Sequence, residues 1–343
     1  MTDYFIRRFL LVIPTFFGIT LLVFAVTRFV PGGPIEKMIM TMKQANLHGD
    51  GRPAPTLSTP NAQPLSEDQL NQLREYYGFD KPVLQSYRDW LWKVIRFDLG
   101  SSTRYNEPVW SLIRERIPIS TYYGIISMVL SYLVCIPLGM VKAIRHGTAI
   151  DYGSSILVFI GFALPPLVVA ISLFVVFASQ LEWFPLGGFT SDGFADLSPL
   201  DKIYDLIRHS ILPLCAYMAG SFAVMTMLMK NSLLDNLAAD YVRTAMAKGM
   251  PFRRAVFTHA MRNSLIPIAT TFGGNISAIL AGSFLIERIF NIDGFGLLGY
   301  ESVVERDYPV VMGILVLSAI LQLVGNIISD LCVAFVDPRV QYD

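Results

Sequence analysis

Charge is scarce in this chain and cancels: 27 Lys and Arg face 27 Asp and Glu, and charged residues make up only 16% of the 343. A net charge of zero leaves no concentrated basic surface of the kind that phosphate recognition requires, so an electrostatic nucleic-acid binder is excluded. Cysteine is almost missing. Cys135, Cys215 and Cys332 each fall inside an apolar run with no short spacing between them, so neither a disulfide framework nor a zinc site is encoded. They read as small buried hydrophobes. The histidines, His48, His146, His209 and His259, are scattered, with no H-x-x-x-H or H-E-x-x-H spacing to set two metal ligands on one helix face. No G-x-x-x-x-G-K-[ST] cradle for nucleotide phosphates occurs, no G-x-S-x-G elbow and no paired intramembrane aspartates. A P-loop ATPase is thereby removed, and a membrane-embedded enzyme is left without convergent catalytic groups. If ATP drives this protein, another subunit binds it.

What the chain has instead is apolar residues, 53% of the total, in blocks too long for ordinary core helices. A helix needs ~20 apolar residues to cross the hydrocarbon layer. Six segments qualify, near 9–30, 118–141, 152–179, 211–230, 264–286 and 309–334, which makes this an all-α polytopic membrane protein. The first follows Arg7 and Arg8, as a signal peptide would, but its apolar stretch outruns a normal signal core and "TRFVPGGP" offers no small-x-small cleavage site. It is expected to stay as an anchor.

Lys and Arg in short connections are held on the cytoplasmic side. Arg7 and Arg8, then Lys142 and Arg145, then the basic stretch 240–267, then Arg339 fall on one side, while 180–210 and 287–308 are mainly acidic. Both termini are therefore expected in the cytoplasm. Ionisable residues are nearly absent from the spans, which weakens a proton-coupled carrier, since such proteins keep a buried acid or His in mid-membrane. An ATP-independent secondary transporter or channel remains the alternative.

The segment 31–117 is long and polar. Its first half, including 40–62, is rich in Pro, Gly, Asn and Ser and is expected to be irregular. Ser66 followed by Gln69 gives a capping box before an amphipathic helix ending at Gly78, and "KPVLQSYRDWLWKVIRF" has apolar residues at helical spacing. Short helices resting on the outer membrane face are expected.

Between the fourth and fifth spans lies "DYVRTAMAKGMPFRRAVFTHAMRNSLIP". Residues 231–248 lack Gly and Pro and predict one uninterrupted helix. Gly249 suits the left-handed residue that ends a helix, and Pro251 suits the first turn of the next. The second helix sets Phe252, Val256, Ala260 and Asn263 on one stripe and Arg254, Thr258 and Arg262 on another. Ala238, Ala239, Ala245, Ala247 and Gly249 keep the elbow free of bulk, so another protein's surface can approach its backbone.

This stretch resembles the EAA loop of bacterial ATP-binding-cassette importer permeases, in the form "YVRTARAKG...HALRNALIP" of the oligopeptide and dipeptide group. Further matches run in order along nearly the whole chain: "YFIRRFLLVIPT", "YGFDKPVLQSYRDWLWKVIRFDLGSS", "PLGMVKA", "GFALPPLVVA", "ERIFNIDGFGLLGYESVVERDYPVVMG" and "NIISDLCVAFVDPR". The extended outer segment, "FDLGSS" and "GLLGYE...RDYPV" are most similar to the branch of the microcin C importer. Two departures stand out: Arg243 or Thr244 replaces the acidic residue of the general consensus, and "IDGFG" stands where "PGLG" is commoner.

The resemblance implies a type I importer permease fold: an anchor at 1–30, a periplasmic insertion at 31–117, and a five-span core at 118–343 containing a coupling loop at 231–263. It implies that this is the B-type subunit, moving peptides by alternating access. Its implied partners are a homologous C-type permease, two ATPase domains or one fused ATPase holding ATP and Mg2+, and a periplasmic peptide-binding protein, all at the bacterial inner membrane. A short coupling helix around Ala245 to Phe252 would enter a groove on the ATPase, with Tyr241, Arg243, Thr244, Ala247, Lys248, Gly249, Met250, Pro251, Arg253 and Arg254 in or beside the contact. Gate or cavity candidates are Pro165 and Pro166, which break the third span, with Asn275, Ser283, Asn326 and Asp330. Helix packing competes for the polar ones. Tyr122, Tyr123, Trp183 and Phe184 read as interfacial anchors.

Overall fold

The computed structural model of the chain describes residues 2–29, 81–272 and 283–336, and among these only an isolated bridge between Ser101 and Pro108 departs from helix and connection. The predicted helix at 66–78, the 40–62 segment, Asn275 and Arg339 lie outside the described residues. The helices are α1 (Thr2–Phe29), α2 (Val83–Ile95), α3 (Val109–Ile144), α4 (Ala149–Ala163), α5 (Pro166–Leu173) and α6 (Pro199–Ala238). They continue with α7 (Asp240–Ala247), α8 (Phe252–Ala255), α9 (Met261–Ser264), α10 (Phe284–Ile289), α11 (Phe295–Val304) and α12 (Tyr308–Val336). α3, α6 and α12 are each long and apolar enough to cross a membrane. α4 and α5, with the π-helical turn Phe174–Gln180 that follows, pass the same test together but are bent by 95°. Leu164 and Pro165 are extended at that break, because a residue preceding proline is pushed out of the helical region.

The chain gathers into two compact units, one formed by Met1–Val12, Arg114–Leu298 and Ser318–Asp343, the other by Ile13–Ile113 and Gly299–Leu317. Within the second, α2 packs on α1: the Thr20 and Tyr87 hydroxyls meet at 3.0 Å, and the Phe24 ring lies 5.6 Å from both Tyr87 and Trp90. The fully buried Asp307 accepts hydrogen bonds from the Ser102 hydroxyl and from the backbone of Thr103 and Arg104, while the Arg104 guanidinium bridges Glu301 and Glu305 at 3.0 and 3.1 Å. "FDLGSS" and "RDYPV", far apart in sequence, thus hold each other.

The first unit has two apolar cores. One joins Tyr123, Ala170, Leu212, Leu214, Ala216, Ile286 and Phe290. Tyr123 is fully buried there, its ring stacked 6.0 Å from Tyr217, so it is a core residue and not the expected interfacial anchor. Beside this core the buried Glu287 accepts from Ser120 Oγ at 2.8 Å and from the Leu297 amide at 2.6 Å, and Ser120 Oγ in turn accepts from the Phe295 amide. A Cβ at Gly294 would overlap that carboxylate, which is why glycine stands there in "IDGFG". The cysteines divide: Cys135 is buried, as expected, whereas Cys215 is exposed on α6.

Candidate functional site: a braced loop with a cleft

The second core is built where α3 and α6 end. Met140 and Ala143 from α3 and Met229 and Leu233 from α6 pack with Val242, Ala255, Val256, Ala260 and Ile268. This packing explains a break that the sequence does not announce. In one continuous helix Val242, nine residues after Leu233, would point about 180° away from it. The chain instead stops at Ala238, takes an extended conformation at Ala239 (ψ 146), and restarts at Asp240. Val242 is then fully buried beside Leu233. Burial outweighs a locally uninterrupted helix propensity.

The return limb shows a second adjustment. Ala255 and Val256 are fully buried, as are Ala260 and Ser264, whereas Phe252 is 45% exposed. The apolar stripe therefore starts three residues later than predicted. Positions 256, 260, 264 and 268 repeat every four residues, and in an ideal helix that row drifts by ~40° per step. A π-helical turn over Val256–Ala260 widens the winding and keeps the row on the core. Asn263 leaves the stripe and donates to the Tyr241 hydroxyl at 3.0 Å, which donates to Asn236 at 2.5 Å. That clasp closes the base of the loop, and Ser264 Oγ adds a bond to the Ser232 carbonyl at 3.3 Å.

The tip is a turn and not the short helix expected around Ala245 to Phe252. α7 ends at Ala247, Gly249 takes a left-handed φ of +93°, and Pro251 stands immediately before α8. Gly249 N donates to the Met246 carbonyl and Met250 N to that of Ala245, so the turn is internally bonded. Concave to it is a cleft of about 460 Å³ lined by Tyr241, Thr244, Ala245, Lys248, Gly249, Met250, Pro251, Arg254 and His259. Arg243, Ala247, Phe252 and Arg253 are exposed on the same loop outside the lining. His259 is the one lining residue outside the predicted set. It sits at the start of the quoted "HAMRNSLIP" and, five residues beyond Arg254, shares the face toward the cleft. The site holds no carboxylate, so it presents Lys248, Arg254 and His259 as positive or protonatable groups toward whatever enters.

The gate candidates fall in two places. Pro166 and Ser283 both border α6: a Cβ on Gly220 would lie 3.2 Å from the Pro166 ring, and Ser283 N donates to the Tyr217 hydroxyl at 3.1 Å. Asn326 accepts from Gln322 at 3.1 Å, and next to Asp330 the Ser329 hydroxyl donates to the Thr270 carbonyl at 3.0 Å. Among the described residues no group of His, Cys, Asp and Glu could hold a metal ion.

Comparison with known proteins places this geometry in context. Residues 135–342 match the binding-protein-dependent transport system inner membrane component family. The peptidoglycan transport system permease protein YejB of Agrobacterium fabrum is 38% identical over 100% of this chain and 99% of its own. The inner membrane ABC transporter permease protein YejB of Escherichia coli O157:H7 is 38% identical, with 100% of both chains covered. The oligopeptide transport system permease protein AppB of Bacillus subtilis is 36% identical, again over 100% of both.

Proposed function

This chain belongs to the binding-protein-dependent transport system inner membrane component family, and we propose that it carries peptides inward as one of two homologous permeases powered by two partner ATPase domains, on two chains or fused in one. It is a multi-pass inner-membrane permease component of a binding-protein-dependent importer. The names of its relatives, which speak of peptidoglycan and oligopeptide transport, support a peptide cargo. A periplasmic binding protein delivers that cargo, and ATP with Mg2+ is held by partner ATPases.

The observation that carries the ATPase reading is the loop at 240–264. Its buried side is locked to the ends of α3 and α6, and its exposed side is a basic cleft around a glycine turn. A loop packed this way transmits a push on its tip to two membrane helices, because packed elements move as rigid bodies. Lys248, Arg253 and Arg254 meet acidic groups on the ATPase, and α4 with α5 opens and closes the path at the Pro165–Pro166 bend. Both termini lie in the cytoplasm with the cleft.

The test is site-directed crosslinking in membranes that import peptide. Single cysteines at Ala247, Met250 and Phe252 are expected to crosslink to an ATPase subunit, in a pattern that changes when ATP is trapped. Adducts to lipid alone would refute the assignment.

A further inference from the structure

We infer that Asp151 is a positioning residue that passes motion of the cytoplasmic loop into the bent span α4–α5, an inference that rests on the ATP-driven reading above. α4 buries only Asp151 and Val158, while Ile156, Leu157, Phe159 and Ile160 along it are exposed. Its buried anchorage is therefore at Asp151, with the half-buried Ser154 and Ser155 beside it, and at Val158. Asp151 is 2% exposed, and both of its carboxylate oxygens are engaged. Lys230 Nζ on α6 donates to them at 2.7 and 2.9 Å, the Gly147 amide donates at 3.2 Å, and His146 Nδ1 lies at 3.0 Å. Lys142 Nζ, in the last turn of α3, is 3.4 Å away and also donates to the Asp151 carbonyl and to the hydroxyls of Ser154 and Ser155.

This cluster adds what the charge count alone does not contain. Lys142, which the charge count uses only to orient the chain, is fully buried, and Asp151 and Lys230 are buried beside it. The sequence hid them because Lys142, Asp151 and Lys230 each stand at the edge of an apolar block.

Buried ion pairs add little net stability compared with apolar packing, but they fix which elements meet and in what register. Here one carboxylate joins the end of α3, the start of α4 and the C-terminal part of α6. Lys230 follows Met229 and precedes Leu233 by three residues, and both of those are core partners of Val242, Ala255 and Val256. The loop, α6 and Lys230 thus form one body, and the bond from Lys230 to Asp151 ties the head of α4 to it. At the other end of the bent pair, Ala170 of α5 is fully buried against Leu212, Leu214 and Ala216. Those three residues belong to α6 as well, so the bond to Asp151 fastens the head of α4 to the helix that already seats α5, and the bent pair follows α6 at both ends.

The experiment uses the complete importer, with both permeases, ATPases and binding protein, reconstituted in proteoliposomes, reading peptide imported per ATP hydrolysed. Asp151→Asn is expected to lower that ratio at least tenfold while ATP hydrolysis stays within about twofold of wild type. Lys142→Met and Lys230→Met combined with Asp151→Asn removes all three charges, so no buried ion of the cluster is orphaned; it is expected to assemble normally and show the same uncoupling. Asp151→Glu, which keeps the carboxylate for Lys230 and Lys142, is expected to recover part of the ratio. An unchanged ratio in Asp151→Asn, or a proportional fall in uptake and hydrolysis together, would overturn the inference. Failure of the wild-type complex to couple uptake to ATP would instead overturn the ATP-driven reading.

Discussion

Gly249 and Gly139 are both glycines for which a side chain is costly, and for opposite reasons. A Cβ at Gly139 would come within 2.7 Å of Met229 Cβ and the Thr226 carbonyl, so that position is closed by the approach of α3 to α6. At Gly249 no atom lies within 4 Å of the added carbon, and only the φ of +93° demands glycine. Left-handed backbone costs a side-chain-bearing residue roughly 1–2 kcal/mol. Gly249→Ala is accordingly expected to lower stability by about that amount and to leave most uptake intact. Gly249→Trp carries the same backbone strain but adds a ring at the exposed cleft that blocks a partner's close approach. It is expected to abolish uptake at an unchanged level of protein in the membrane. Uptake by radiolabelled peptide, with immunoblots of the membrane fraction, checks both, and equal transport by the Ala and Trp variants would remove the contact from the mechanism. The left-handed glycine was legible in the sequence because a glycine two residues before a proline marks the end of one helix and the start of the next. The crowding at Gly139 was not, since nothing in "PLGMVKA" names the helix that approaches it.

Among the elements, the sequence revealed those whose cause is local. Apolar length marks α3, α6 and α12, the proline pair marks the 95° bend, and the amphipathic spacing in "KPVLQSYRDWLWKVIRF" marks α2. The break at Ala239 and the π-turn over Val256–Ala260 have a tertiary cause, the need to keep Val242 and the later stripe on one core. No punctuation by Gly or Pro accompanies either, so reading propensity alone produces a single long helix and a misplaced stripe. Eight of the nine cleft residues were predictable by position, because the quoted motif stays together in space whatever its internal register; His259 was not, because a lone histidine carries no spacing signal. Val242 offers a test of the packing argument. Val242→Asn puts an amide among Leu233, Ala255 and Val256 with no partner, at a cost of about 1–3 kcal/mol. The loop is expected to lift from its core, so the ATPases no longer copurify while the permease still inserts. Copurification at wild-type yield would mean that the core does not brace the loop.

For the whole molecule, the distribution of charge sets an expectation that hydropathy alone leaves open. In the unit holding the loop, the basic tip contributes Arg243, Lys248, Arg253 and Arg254, whereas the connection at 180–210 contributes Glu182, Asp192, Asp196 and Asp201. Lys and Arg resist translocation, and short connections obey that bias most strictly, so the two sets are expected on opposite membrane faces. Asp89 and Asp307 belong to the other unit, where the long 31–117 segment is outside the reach of the rule. Cysteines introduced at exposed positions with few neighbours make this measurable: Asp192→Cys on the acidic connection and Lys248→Cys at the tip. In intact cells a membrane-impermeant maleimide is expected to label the first and spare the second, and in inverted vesicles the pattern is expected to reverse. The native Cys215, exposed on α6, and Cys332, half-buried on α12, are replaced by alanine in both variants to keep the background silent. Labelling of Lys248→Cys from outside would put the cleft where no ATP-consuming partner can reach it, and the proposed coupling would fall with the orientation.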